Sequence, residues 1–236
     1  PVGWIWRDHI LKMMRKFKTD YNGRVTKWTM MEEMENDGAG GKPQFFTAIG
    51  TPDIFSSLGW EIITMCADDF ARSGRLPVIM VNELNIKKLT KENYPLFEAL
   101  MRGYDGALRK TGLVNITGET AIMKNSITAF CDTDSDEQLV LTWGASCVGL
   151  CHRDKLIDGS KIRPGMPIVG LIDDGYRCNG GTFLTELILR KFGHELQKIL
   201  QNPQAGGFID RIATPSISYS ELISYANGWG ADGRVK

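Results

Sequence analysis

The sequence lacks a dominant charge, a long apolar run and a signal-peptide pattern. Its 236 residues carry 28 Lys+Arg against 28 Asp+Glu, so no global field favours nucleic acid or an anionic membrane as a partner. No apolar run approaches the roughly 20 residues that a membrane-spanning helix needs, and residues 1–18 mix tryptophans with charged side chains. These absences predict a cytoplasmic protein that recognises charged partners locally.

Paired cysteines are also lacking. The five cysteines are an odd number without any C-x-x-C spacing, which argues against both a disulfide framework and a zinc site. Buried free thiols are the favoured interpretation. The alternative is that Cys147, Cys151 and His152 meet at a metal ion.

Apolar segments with strand-like and helical spacing alternate along the chain. The spacing predicts strands at 24–34, 78–84, 113–116, 126–130, 138–151 and 168–172, and helices at 4–17, 57–73, 93–110 and 182–192. This alternation favours an α/β or α+β fold. Turn residues between 158 and 165 predict a boundary between two domains, 1–163 and 164–236.

A glycine-rich segment, DGAGGK at residues 37–42, is the first candidate for chemistry. Its three glycines let the backbone approach a polyanion closely, Lys42 adds a positive charge, and Asp37 can hold a hard cation. The spacing is not that of a Walker loop. Taken alone, such a segment is also typical of a structural turn.

Two further segments each offer a carboxylate. Asp68 and Asp69 end an otherwise apolar helix, where adjacent carboxylates repel unless one is solvated or a cation compensates. Two neighbouring residues on a helix point about a quarter-turn apart, so one carboxylate can face a binding cleft while the other faces water. We assign Asp69 to the cleft. Glu119 and Thr120 follow an apolar strand, at a strand end where sheets present ligands. Taken alone, the two segments also fit a polar helix end and an ordinary turn.

Taken together, in order and at their spacing, these segments resemble the AIR synthetase (phosphoribosylformylglycinamidine cyclo-ligase) family. The family's D-G-V-G-T-K loop is similar to residues 37–42, its G-x-D-x-V-x-M-C-x-N-D helix to 59–69, its G-G-E-T-A-E-M strand end to 117–123, and three further motifs to 150–162, 170–180 and 215–219. The resemblance covers about residues 30–220.

The resemblance implies an AIR-synthetase-like two-domain fold. An N-terminal mixed sheet with helices is expected to pair with its twin in a dimeric β-barrel, followed by a C-terminal α/β domain. That second domain is expected to be truncated, because the family's H-I-T-G-G-G segment is absent. In this family magnesium-ATP phosphorylates an amide-type oxygen of a small phosphoribosyl-type substrate. The transferring phosphoryl group needs neutralisation by a metal ion, a lysine and backbone N–H groups.

The resemblance also assigns a role to each matched residue. Asp37 and Asp69 are the expected magnesium ligands, and Lys42 and Asp69 the expected catalytic residues. The expected cofactor-binding residues are Gly38, Gly40, Gly41, Lys42, Glu119, Thr120, Asn179 and Gly180. Asn179 and Gly180 are expected in a turn of the second domain near the substrate.

Several family positions are altered, mostly on the substrate side. The altered residues are Gly41, Asn82, Ile122, Thr142, Asp173, Asp174, Arg177 and Cys178. Three hypotheses remain. The first is an ATP-dependent cyclo-ligase of purine biosynthesis or a close relative. The second is a sister activity of kinase, dehydratase or amidine synthetase type, and the third is a non-catalytic dimeric nucleotide-binding module.

Overall fold

The computed structural model describes residues 30–170 and 178–192 of the chain. The predicted helix at 4–17, the family motif at 215–219 and the altered positions Asp173, Asp174 and Arg177 lie outside these ranges. The described strands are β1 (Met30–Gly38), β2 (Leu76–Ile86), β3 (Val114–Ile122) and β4 (Leu141–His152). The described α-helices are α1 (Lys42–Ile49), α2 (Pro52–Ala67), α3 (Tyr94–Thr111) and α4 (Gly181–Phe192).

The four strands form one mixed sheet in the order β1-β4-β2-β3. The pairs β1–β4 and β4–β2 are antiparallel, whereas β2 and β3 are parallel. A parallel pair requires a crossover, and α3 provides it between β2 and β3. The expected mixed sheet with helices is therefore confirmed, as a mixed α+β structure.

One face of the sheet forms the core with α2 and α3. On β4 the buried residues alternate with more exposed ones, and Trp143, Ala145 and Cys147 point to the buried side. The helices contribute residues at helical spacing, among them Leu58 and Ile62 on α2. This two-layer arrangement fixes which face of each strand is available for a site.

Two glycines let α2 and α3 pack backbone against backbone. A Cβ on Gly59 would overlap the backbone of Tyr104, and a Cβ on Gly103 would overlap the backbone of Ser56. Any side chain at either position would push the helices apart. This contact holds α2 in place, and α2 carries both Glu61 and Cys66 towards the glycine segment.

The helix at 57–73 is confirmed with different bounds. It starts earlier, at Pro52, and its last turn is a 3-10 helix, Asp68–Ser73, that ends at Gly74 with φ +72°. Strand β1 continues further than expected, because Asp37 and Gly38 still pair with Ala145 and Gly144. The glycine segment therefore begins inside a strand.

Two predicted strands are wrong. Residues 126–130 are not a strand, because β4 already has β1 on one side and β2 on the other and offers no edge. Residues 168–170, the described part of the strand predicted at 168–172, are also irregular. Ile168 and Val169 are 100% and 82% exposed, so these apolar side chains have no layer to pack against in the described structure.

The second face of the sheet carries exposed side chains, and we call it the open face. Paired residues of neighbouring strands share a face, which places Met34 opposite Val148, and Glu83 opposite both Gly144 and Glu119. Met34 is 73% exposed. The open face thus mixes apolar and acidic side chains.

Candidate functional site

Asp37 lies at the end of β1, on the helix-packed face of the sheet. It is paired with Ala145, which is buried in the core. Its Oδ1 accepts a hydrogen bond of 2.7 Å from the backbone N–H of Gly38, which orients the carboxylate at the start of the glycine segment. Its backbone carbonyl accepts a contact of 3.4 Å from the Cys66 thiol.

Asp69 lies in the 3-10 turn that follows α2. Its carboxylate is 37% exposed and is 3.4 Å from Arg72, three residues further on. It lines a groove of about 440 Å³ together with Glu33, Ser73 and Asp158. Asp69 is therefore accessible from solvent, and the cleft assignment agrees with its position at this groove.

Cys66 connects these two aspartates. Burial is the main cause that raises the pKa of its thiol to about 12, and the charges of Asp37, Asp69 and Glu35 raise it further. Both predicted magnesium ligands therefore lie within electrostatic range of one buried sulfur. Their assignment as magnesium ligands stays a prediction.

Glu119 points away from this region. It shares a face with Glu83 and Gly144, whereas Asp37 shares a face with Ala145, and adjacent residues of a strand point to opposite faces. Glu119 lines a pocket of about 480 Å³ on the open face. Within one chain, the structure does not bring Glu119 together with Asp37, while Thr120 pairs with Leu84, whose side chain is in the core.

Lys42 is buried instead of standing open at the end of the glycine segment. Its ammonium is 2.7 Å from the Glu61 carboxylate, and both side chains are fully excluded from solvent. The ammonium also lies 5.9 Å from the centre of the Phe46 ring. In this arrangement the charge of Lys42 faces Glu61, and its expected catalytic role stays a prediction.

The glycine segment packs against the turn that precedes α4. Gly40 has φ +56°, and a Cβ there would lie 2.9 Å from the carbonyl oxygen of Cys178. A Cβ on Gly41 would lie 3.3 Å from the Cα of Gly181. Asn179 and Gly180 are in this exposed turn, so the structure brings these two predicted residues beside the glycine segment.

Two polar residues with several described contacts, Glu61 and Asn82, were not predicted as site residues. Glu61 is an isolated acid among apolar residues of α2, and an acid in such a position is the sequence feature that could have identified it as a buried, paired residue. Asn82 accepts a hydrogen bond of 3.0 Å from Trp143 and donates bonds of 2.9 Å to Asn115 and 3.3 Å to Tyr104. Asn82 is thus part of a polar network between strands and helix.

The metal chemistry of the described residues is limited. In residues 30–170 and 178–192, no group of three or more His, Cys, Asp or Glu side chains is arranged to hold a metal ion. These ranges thus show no such group at Cys147, Cys151 and His152, and the five cysteines are buried and form no disulfide. Asp37 and Asp69 are carboxylates of the type that holds magnesium together with waters and phosphate oxygens, and their role as ligands stays a prediction.

Comparison with known proteins defines the class of this chain. A family model described as "AIR synthase related protein, N-terminal domain" matches residues 31–151, which is half of the chain. The chain therefore belongs to the AIR synthase related family. Within the described ranges, no helix has the length and apolarity to cross a membrane.

Its relatives include enzymes named phosphoribosylformylglycinamidine cyclo-ligase. The one from Thermococcus kodakarensis is 31% identical over 158 residues, which is 66% of this chain and 42% of that protein. The one from Staphylococcus aureus is 26% identical over 187 residues, which is 79% of this chain and 49% of that protein. The chain thus spans less than half the length of these curated relatives.

Solved structures show more distant likenesses. Thiamine monophosphate kinase from Aquifex aeolicus is 15% identical with a TM-score of 0.44, covering 90% of this chain and 63% of that one. Phosphoribosylformylglycinamidine synthase II from Thermotoga maritima is 15% identical with a TM-score of 0.42, covering 73% of this chain and 26% of that one.

Proposed function

We propose that this chain handles the nucleotide in an ATP-dependent enzyme that activates an amide-type oxygen by phosphorylation. The reaction is of the cyclo-ligase type or that of a close relative in purine biosynthesis. The observation that carries this proposal is the Asp37 carboxylate, held by the Gly38 N–H at the start of the glycine segment, in a chain of the AIR synthase related family. Several relatives named cyclo-ligase support the reaction class.

Different residues of the chain would bind the metal ion and the phosphates. Asp37 and Asp69 would hold magnesium, which supplies charge neutralisation for the phosphoryl group when it is bound. The backbone N–H groups of Gly38, Gly40 and Gly41 would face the phosphates. A direct phosphate contact from Lys42 would require its ammonium to leave Glu61, 2.7 Å away.

The remaining predicted residues would hold other parts of the ligands. Asn179 and Gly180, beside the glycine segment, would contact the nucleotide near a small phosphoribosyl-type substrate. Glu119 would contact the nucleotide only if the open face is part of the complete site, whereas Thr120 would contact it from the helix-packed face, the face of Asp37. A homodimer that joins two open faces would meet this condition, because it would enclose the pocket lined by Glu119.

Titration calorimetry with magnesium-ATP tests the metal and phosphate roles. We expect Asp37→Asn and Asp69→Asn each to weaken binding at least about tenfold, because each variant removes one charge of the metal site while keeping the side-chain shape. Asp105→Asn is the matched control, since Asp105 also pairs with a nearby helical arginine but lies on α3. Equal affinity in all four proteins would contradict the proposal.

ADP release separates the reaction classes. Formylglycinamidine ribonucleotide should stimulate ADP release above the rate with ATP alone if the protein is a cyclo-ligase. Nucleotide affinity without this stimulation would favour a sister activity of the family. That result would support the phosphate site and would exclude formylglycinamidine ribonucleotide as the substrate.

A non-catalytic nucleotide-binding module is the second candidate, and Asn82 favours it. The family aspartate at this position is replaced by an amide whose hydrogen bonds all go to the protein's own side chains. Such a residue contributes to the fold and offers no carboxylate to a reaction. Magnesium-ATP binding without ADP release for any acceptor would support this candidate.

A further inference from the structure

The turn before α4 closes over the glycine segment through a small set of contacts. Cys178 is 3% exposed, and its backbone oxygen lies against Gly40. One turn into the helix, the Thr185 hydroxyl accepts a hydrogen bond of 3.0 Å from the Gln44 amide on α1. We call the turn at 178–180 together with α4 the cover.

The cover also reaches the buried ion pair. The Cys178 thiol donates a hydrogen bond of 3.3 Å to Glu61 Oε2, while the other carboxylate oxygen of Glu61 is 2.7 Å from the Lys42 ammonium. Desolvation by burial is the main cause that raises the pKa of this thiol, and the Glu61 charge adds to it. Closing the cover therefore places a neutral donor on a carboxylate that already pairs with Lys42.

Among the described residues, α4 buries little of its side-chain surface. Most of its described side chains are exposed or half-buried, and Phe183 is 68% exposed. An element with little buried apolar surface opens at a lower free energy than the whole fold. By contrast, Cys147 on β4 is 1% exposed and belongs to the core between the sheet and α2.

We propose that the cover opens as a local unit, separately from the core, and that its opening exposes both Cys178 and the backbone of the glycine segment. Among the described contacts that hold it closed are the hydrogen bond from the Cys178 thiol to Glu61 and the hydrogen bond from the Gln44 amide to the Thr185 hydroxyl. Opening removes one hydrogen bond from Glu61 and so loosens the environment of Lys42. Opening and closing of the cover thereby control access to the glycine segment. The inference that this access controls phosphate binding rests on the proposed nucleotide function.

Alkylation with iodoacetamide, followed by peptide mass spectrometry, tests this opening in the native protein. Cys178 should be labelled at least about tenfold faster than Cys147, because local openings expose the first thiol and only global unfolding exposes the second. Equal labelling rates for the two thiols would overturn the proposal. The comparison is made without nucleotide, so its outcome is independent of the ATP affinity measured by calorimetry.

A pair of matched substitutions on α4 identifies the contact. Thr185→Val removes the hydroxyl that accepts from the Gln44 amide and that donates a hydrogen bond of 2.9 Å to the Gly181 carbonyl oxygen. Labelling of Cys178 should therefore accelerate at least about fivefold, with Cys147 unchanged. Thr182→Val is the control, because Thr182 is exposed on the same helix and the substitution changes helix propensity equally. Equal acceleration of Cys178 labelling by both variants would overturn the role of Thr185.

Discussion

Asn82 shows how a single side chain departs from the family pattern for a physical reason. Its Oδ1 accepts from the Trp143 indole, and its Nδ2 donates to the Asn115 carbonyl oxygen and to the Tyr104 hydroxyl. Only an amide has an acceptor and two donors at these places. A carboxylate here would place one of its oxygens against the Asn115 carbonyl oxygen, with no proton between the two acceptors, and would put a charge in a part-buried position.

We expect Asn82→Asp to lower the free energy of unfolding by about 2 kcal/mol, because it removes both donors and leaves the Asn115 oxygen without its partner. Urea denaturation measures this change. Asn115→Asp is the control, since its side chain keeps the acceptor oxygen that Asn82 uses. Equal destabilisation by the two variants would show that a new charge, and not the lost donors, is responsible.

The Lys42–Glu61 pair shows what the sequence could not reveal at this scale. The lysine after the glycines was predicted to be a ligand-binding residue because a positive charge beside glycines suits a phosphate. Its partner stands 19 residues away, one turn into the apolar stretch of α2, and only packing brings the two together. Sequence spacing shows that a lysine follows the glycines, whereas the packing of α2 determines whether its ammonium faces a ligand or Glu61.

At the scale of elements, the helices predicted at 57–73, 93–110 and 182–192 and the buried strands agree well with the structure, because apolar spacing reports burial directly. Strands β2 and β4 and helices α3 and α4 have this clear signal. The strand predicted at 126–130 failed because pairing depends on which edges of the sheet are free. The same limit applies to the site: the spacing of Asp37 and Glu119 contains no information about their opposite faces.

The acidic loop at 132–136 is held by two lysines at the end of β2. Lys87 is 2.6 Å from Asp132 and 3.0 Å from Asp134, while Lys88 is 2.8 Å from Asp136. Burial is the largest single influence on Asp132 and raises its pKa, but the hydrogen bonds from Lys87 and from the Asp134 backbone N–H, together with the Lys87 charge, hold the pKa below its usual value. For Asp134 the hydrogen bond from Lys87 is the main cause of its lowered pKa.

We expect Lys87→Met to raise the titration midpoint of Asp132 above that of an ordinary aspartate, because burial is the largest influence on this carboxyl and then loses the opposing hydrogen bond and charge of Lys87. Carboxyl NMR titration measures the midpoint. The sign for stability follows from the lowered pKa in the wild type: the loop's contribution is present above about pH 4 and is lost as the pH falls through the lowered value. Lys91→Met removes a nearby exposed lysine and should leave the midpoint in place; a shift of equal size there would contradict the role of Lys87.

At the scale of the whole molecule, the open face is the surface that separates the two parts of the predicted site. Asp37 lies on the helix-packed side, and Glu119 lies on the other side of the same sheet. One chain cannot bring the two together without breaking the sheet. The proposed homodimer, joined through the open faces, would give Glu119 an enclosed environment and would cover Met34, which is 73% exposed in the single chain.

We expect light scattering to give twice the chain mass of 26.3 kDa for the wild-type chain and the single mass for Met34→Glu. A carboxylate buried between two sheets without a partner costs several kcal/mol, which weakens dimerisation on the order of 100-fold. Tyr94→Glu is the control, because Tyr94 is 51% exposed at the start of α3, away from the open face. Circular dichroism should be unchanged in both variants, since each replaced side chain is exposed. A wild-type chain that stays at the single mass at high concentration would refute the dimer, and dissociation by Tyr94→Glu alone would place the interface on the helix side.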